Sequence, residues 1–254
     1  GYKRIADIEG NSDWNSAAEY FWNTVVKNRS ISIGGNSERE HFHPSTDFSS
    51  MLTSEQGPET CNTYNMLRLT KMLYQTSLDS QYMDYYERAL YNHILSTQDP
   101  VQGGFVYFTP MRSGHYRVYS QPQTSFWCCV GSGMENHAKY GEMIYAHKDN
   151  GVYVNLFIPS TVKWNNVTIE QKTDFPNEEA TTFIVTPKKG KKNFDLLVRI
   201  PGWLDKSELT VMVNDKSEKA TIKDGYISLQ RTWEKGKKEK ISLPMHLHAE
   251  VLPD

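Results

Sequence analysis

A helical region followed by an antiparallel β-sandwich is the fold class this sequence predicts, and three observations carry it. Up to about His147, apolar residues recur at spacings of three and four. Beyond it they fall in short β-branched and aromatic runs, punctuated closely by Asn, Asp, Gly and Pro. Between the two textures stands "KDNG" at Lys148–Gly151, a strong turn signal. Two domains follow, 1–148 and 149–254, and 254 residues suffice for both.

The first helix is read in "SDWNSAAEYFWNTVVKN" (Ser12–Asn28), with Ser12 and Asp13 as caps and Trp14, Ala18, Phe21 and Val25 as one apolar stripe. "GPETCNTYNMLRLTKMLYQTS" (Gly57–Ser77) places Pro58 in a first helical turn, with a stripe through Met66, Leu67, Thr70 and Leu73. "SQYMDYYERALYNHILSTQ" (Ser80–Gln98) repeats the rhythm after a short turn, so the pair is expected as an antiparallel hairpin. A further helix is expected from Gly133 to Ala146. The strands are read in "GVYVNLFIPSTVKW", "NVTIEQKT", "TTFIVTP", "NFDLLVRIPGW", "LTVMVND" and "GYISLQRTW".

The net charge is -2, with Lys and Arg dispersed. The Lys-rich "PKKGKKN" and "EKGKKEK" read as solvated hairpin loops without an aromatic platform, so no nucleic-acid partner is expected. No apolar run reaches the length of a membrane span, and no signal-peptide pattern opens the chain. Aromatic residues make up 12%, a richness found on carbohydrate-handling surfaces and in large cores alike.

The 3 cysteines cannot all pair, so a disulfide framework is excluded. Together with Glu59, Cys61, Cys128 and Cys129 make a four-donor set suited to tetrahedral zinc; three small buried thiols are the other reading of the same spacing. Glu59 and Cys61 would diverge on a regular helix but can converge at a helix start. Cys128 and Cys129 are expected to need irregular backbone. "SEREHFH" (Ser37–His43) offers an acid/base carboxyl, an H-x-H metal pair or simply a polar loop. Glu87, inside an apolar helical pattern, would pair with Arg88 or Lys71 or bind a polar ligand. Trp127 is either a sugar platform or a packed indole.

"GGNSEREHF", "ETCNTYNMLRLTKMLY", "YERALYNHIL", "VYFTPM", "SFWCCVGSGMENHAKYGEMIY" and "VRIPGW" resemble, in order, glycoside hydrolase family 127 and its neighbour family 146, once catalogued as a domain of unknown function. The resemblance implies part of an (α/α)6 barrel followed by a β-sandwich, and a retaining β-L-arabinofuranosidase. It implies Zn2+ held by Glu59, Cys61, Cys128 and Cys129, with Cys128 as nucleophile. Glu40 in "REHF" corresponds to the acid/base, with Glu38 the lesser candidate. Glu87, Tyr107 and Trp127 would contact substrate, a plant-type oligosaccharide or glycan. A thiolate would thus replace the nucleophilic carboxylate of ordinary retaining glycosidases.

An (α/α)6 barrel needs about a dozen helices, and some four are legible here. The chain is therefore expected to be an internal piece of a larger enzyme, inactive by itself, with an uncovered apolar helical face that invites self-association. A periplasmic or extracellular setting is expected for the parent protein before a cytoplasmic one. Three other functions fit the same residues: a structural zinc staple, a carbohydrate-binding or assembly module, and a hydrolase of the same family acting on another sugar.

Overall fold

The computed structural model describes residues 1–252, as helices followed by two β-sheets. One compact unit comprises Gly1–Leu78 and Tyr82–Tyr140 with the tail from Ala249; the other comprises Asp79–Gln81 and Gly141–His248.

In the helical unit α1 (Tyr2–Glu9) ends where Gly10 turns left-handed, and it carries no strong sequence signal. The next helix, α2 (Ser12–Asn28), is capped one residue earlier than expected. Asn11 accepts the amides of Asp13 and Trp14 on its side-chain oxygen, at 2.8 and 3.3 Å. A short α3 (Ser49–Thr53) precedes α4 (Thr60–Ser77), which buries Thr63, Met66, Leu67, Thr70, Leu73 and Tyr74. The buried Trp22 indole donates to Thr70 Oγ1 at 2.7 Å, so α2 and α4 are joined without an orphaned donor.

Pro58 does not enter the first turn of α4. Residues 57–59 run extended beside a second strand-like segment, and Glu59 is bridged to Phe108. After Leu78 and Asp79, α5 (Ser80–Asn92) buries Tyr82, Tyr85, Tyr86, Glu87 and Ala89, and a 3-10 turn (Ile94–Thr97) follows. Arg88 forks onto Glu250 at 2.9 and 2.6 Å, so it is not a partner reserved for Glu87.

The last helix differs most from expectation. It is α6 (Cys128–Ala138), beginning at the cysteines themselves and stopping before Lys139. Residues 140–144, expected to continue it, form turns, and the chain then enters β1 (Tyr145–Lys148), which pairs with β2 (Gly151–Val154). "KDNG" is therefore the hairpin turn inside the β unit, and the change of unit lies earlier, at Tyr140 and Gly141.

The β unit is a two-sheet sandwich completed by β3 (Ser160–Trp164), β4 (Val167–Thr173), β5 (Ala180–Pro187), β6 (Lys192–Arg199), β7 (Thr210–Val213), β8 (Lys216–Glu218), β9 (Thr221–Lys223), β10 (Tyr226–Trp233) and β11 (Lys237–Ser242). The sheets run β1-β2-β6-β10-β9 and β3-β4-β5-β11-β7-β8. Strict alternation of burial along β5 marks a strand with one face on the core. Phe157, Phe183, Phe194, Leu196 and Trp233 fill the space between the sheets.

Two expectations change here. The β2–β6 pair is parallel, because the chain visits the opposite sheet through β3, β4 and β5 before returning. The Lys-rich stretches are not hairpins: each carries the chain from one sheet to the other, β5 to β6 and β10 to β11, and the second continues as β11 itself. No helix among the described residues is long and apolar enough to cross a membrane.

A carboxyl group is enclosed in this sandwich. Glu239 on β11 is 0% exposed, and among the described residues its carboxylate accepts no hydrogen bond. Arg231 Nη1 lies 3.4 Å away, but the same guanidinium is engaged with Glu218 at 2.8 Å. Burial pushes the Glu239 pKa up to about 7, Arg231 opposing and Glu218 adding to the rise. A carboxyl raised above its unfolded value holds its proton more tightly when folded. Its contribution is favourable below the unfolded pKa and is lost as pH climbs from about 4.5 to about 7. Glu239→Gln should therefore flatten the fall in stability across that window, as measured by denaturant unfolding at a series of pH values. An unchanged slope would show that Glu239 ionises freely.

Candidate metal centre

Two helix starts and one strand-like segment build the centre. Glu59 is the N-cap of α4 and Cys61 its second residue; Trp127 caps α6, whose first two residues are Cys128 and Cys129. This corrects the expectation of irregular backbone at the cysteine pair. Neighbours on a helix diverge by about 100°, and at the open first turn both side chains can reach one point. Helix N-termini also carry partial positive charge, which favours thiolate over thiol.

Tyr107 joins the two starts. Its carbonyl accepts the Thr60 amide at 3.0 Å and lies 3.9 Å from Cys129 Sγ. Thr109 donates to the Pro58 carbonyl at 2.9 Å, and Thr60 Oγ1 donates to that of Val106 at 2.8 Å. Behind them His93 is fully buried between Thr63 Oγ1 at 2.8 Å and Thr109 Oγ1 at 3.1 Å. Burial pushes its pKa down to about 3, so it is a neutral strut. Gly57 and Gly35 permit the close approach: a Cβ at Gly57 would lie 2.4 Å from the Thr109 carbonyl oxygen, and one at Gly35 2.6 Å from Pro58 Cβ.

The donor atoms of Glu59, Cys61, Cys128 and Cys129 all lie within 4.8 Å of one another. Cys61 Sγ is 3.3 Å from Cys129 Sγ, which is 3.9 Å from Cys128 Sγ. Glu59 Oε1 is 3.5 Å from Cys128 Sγ and 3.7 Å from Cys129 Sγ. Tetrahedral coordination with Zn–S near 2.3 Å and Zn–O near 2.0 Å has edges of about 3.8 Å between sulfurs and about 3.5 Å from sulfur to oxygen. Three soft sulfurs and one carboxylate at these spacings fit a tetrahedral divalent cation.

Charge crowding is written into the protonation of the group. Burial raises the Glu59 pKa, and the Glu40 charge adds to the rise. Cys61 is held down to about 7, chiefly by the thiol of Cys129, whose own pKa goes up in consequence. Burial raises Cys128, the exposed member of the set.

Glu40 comes to the rim of this group by way of a strained turn. Glu38 and His41 exchange backbone hydrogen bonds at 2.9 Å, which leaves Arg39 and Glu40 at the tip with φ of 48° and 69°. Consecutive left-handed residues are the mark of a type I′ turn, where Asn-Gly is usual. Non-glycine residues held there cost on the order of 1–3 kcal/mol each, so the surrounding structure must hold the turn in place. Tyr107 donates its hydroxyl to Glu40 Oε1, and the same phenol meets the Cys128 sulfur. Glu38 faces another way, its pKa lowered by the hydroxyl of Ser50 and then that of Ser54.

The H-x-H pair does not converge on an ion. His41 Nδ1 lies 2.6 Å from the Arg39 carbonyl, and His43 Nδ1 lies 2.6 Å from that of Pro44. Trp127 packs edge-on to Tyr107 at 5.9 Å, and among the described residues its buried indole N–H has no hydrogen-bond partner. Glu87 is buried on α5. Sequence reasoning missed Ser132, whose Oγ lies 3.2 Å from Cys61 Sγ. Its spacing of three and four from the cysteine pair becomes a signal only once the helix is begun at Cys128.

The fold recurs in solved structures. A GH127 beta-L-arabinofuranosidase from Geobacillus stearothermophilus T6 superposes with TM-score 0.79 at 24% identity, over 97% of this chain and 41% of that one. A second GH127 beta-arabinofuranosidase gives 0.78 at 25% identity, over 96% and 41%. A further glycoside hydrolase gives 0.78 at 21%, over 100% and 47%. This chain thus spans less than half the length of each. Among curated proteins no match is found. Residues 1–142 match the profile of the beta-L-arabinofuranosidase GH127 catalytic domain and residues 151–245 that of the GH127 middle domain, so the chain belongs to the GH127 family.

Proposed function

We propose that the whole protein is a retaining glycoside hydrolase acting on β-L-arabinofuranosides of plant-type glycans, with Cys128 as nucleophile and Glu40 as acid/base. The observation that carries this reading is a four-donor group with one exposed sulfur, Cys128, and a glutamate, Glu40, held near it by the Tyr107 phenol. A closed structural staple has no use for an acid at its rim or for an exposed ligand.

Glu59, Cys61, Cys128 and Cys129 would hold Zn2+. When bound, that ion deprotonates the thiols at neutral pH, where free cysteine with a pKa near 8.5 stays largely protonated. The remaining chemistry belongs to the chain. Cys128 attacks the anomeric carbon while Glu40 gives its proton to the departing glycosidic oxygen. Glu40, now a carboxylate, takes a proton from water, and the water oxygen displaces the Cys128 sulfur to return the sugar with its original configuration. Tyr107 holds the acid in line with the nucleophile, and its pKa is raised because Glu40 accepts its proton. Trp127, edge-on to Tyr107, takes the substrate-contacting role that the family resemblance implies. Glu87 takes the hydroxyl-binding role that the family resemblance implies.

In the whole protein, Cys128→Ser should lower kcat/KM on aryl β-L-arabinofuranosides by more than about 10³-fold. A mechanism-based arabinofuranoside inhibitor should label Cys128, as read by peptide mass spectrometry; labelling elsewhere would reject the assignment. Glu40→Gln should lose about 10²–10⁴-fold on poor leaving groups yet still show a burst of an activated phenol. Full activity of that variant on unactivated substrate would sink the acid/base role. Chelation should abolish turnover and Zn2+ should restore it, with one ion per chain by elemental analysis. Retained activity in metal-free protein would remove the metal from the scheme.

A further inference from the structure

The three sulfurs of the centre have unlike surroundings. Cys129 is fully buried, and Cys128 is exposed beside a phenol whose one proton goes to Glu40. Cys61, half-buried at the start of α4, has a hydroxyl of its own: Ser132 Oγ at 3.2 Å. Ser132 lies on α6, one turn beyond the cysteine pair, and is 8% exposed. Among the described residues its other neighbour at hydrogen-bond range is the Cys129 carbonyl at 3.4 Å, long for an O–H···O contact, while 3.2 Å is short for one to sulfur. Once Cys61 is ionised as a metal ligand its sulfur can only accept, so across this contact Ser132 is the donor. This contact crosses between helices, from α6 to α4, and so ties together the two starts that supply the donors.

We propose that Ser132 is a positioning residue for the metal centre: by donating to the Cys61 sulfur it keeps that ligand in place and leaves Cys128 as the sulfur free to react. The proposal rests on the reading of Glu59, Cys61, Cys128 and Cys129 as a cation site. Outer partners that orient ligands typically contribute 10–100-fold to metal affinity. It also explains an asymmetry that the donor set alone does not. Three chemically identical thiols divide into an anchor held by a hydroxyl, an anchor held by burial, and one sulfur held by neither.

Co2+ is the probe, titrated into the reduced, metal-free whole protein against a competing chelator, with the thiolate-to-Co2+ charge-transfer band recorded. Ser132→Thr keeps the hydroxyl, and Ser132→Val has the same shape without it. The Thr variant should match the wild type in affinity and band. The Val variant, and Ser132→Ala where it folds by thermal unfolding of the metal-free protein, should bind about 10–100-fold more weakly with a shifted band. Equal affinity and equal bands in Thr and Val variants would overturn the role of Ser132 and leave the metal centre standing. Equal losses in both would make the residue a packing element and overturn it too. Absence of any thiolate–Co2+ band in the wild type would instead remove the cation site, and this proposal with it.

Discussion

The convergence of two helix N-termini is the constraint on which this structure turns. Three cysteines and a glutamate within 4.8 Å would repel one another if ionised and would be poor company if neutral. The starts of α4 and α6 meet that problem with aligned backbone dipoles, each worth about 0.3–1 kcal/mol to an anion in its first turn. The residual cost is visible in the raised pKa values of Glu59 and Cys128. A divalent cation bound by the four donors would cancel that crowding.

The rest of the helical unit serves to hold those two starts apart by the right amount. The Phe105–Pro110 segment is stitched to the approach to α4 by backbone hydrogen bonds, with the neutral His93 locked behind it. Gly35 and Gly57 let neighbouring segments touch where any side chain would push them apart. On this frame the strained Arg39–Glu40 tip delivers one carboxylate to the rim. Rigidity beneath and strain above are what a preorganised acid/nucleophile pair requires, since a displacement of about 1 Å can cost two orders of magnitude in rate.

The β unit follows a simpler logic. Alternating burial supplies a core between two sheets, and it encloses the Glu239 carboxyl without a hydrogen bond among the described residues. Both Lys-rich stretches carry the chain between sheets, where their charges meet water at the sandwich edge. Lys191 pairs there with Glu234, linking the two crossings.

Periodicity alone was enough to read the helical stretch, the sandwich and the long helices α2, α4 and α5, because burial of one face dictates a repeat that any chain order must show. The spacing of Glu59, Cys61, Cys128 and Cys129 left ligands and buried thiols as equal readings, and the family resemblance was what joined the four into one site. What the linear pattern lacks is the relation between segments far apart in the chain. It did not show that α6 begins at Cys128, that the β2–β6 pair is parallel, or that Tyr107 donates to Glu40. Ser132 escaped for the same reason: its partner lies 71 residues away, on another helix. Local sequence determines which face of each element is apolar, whereas the meeting of two helix starts is decided only when those faces pack.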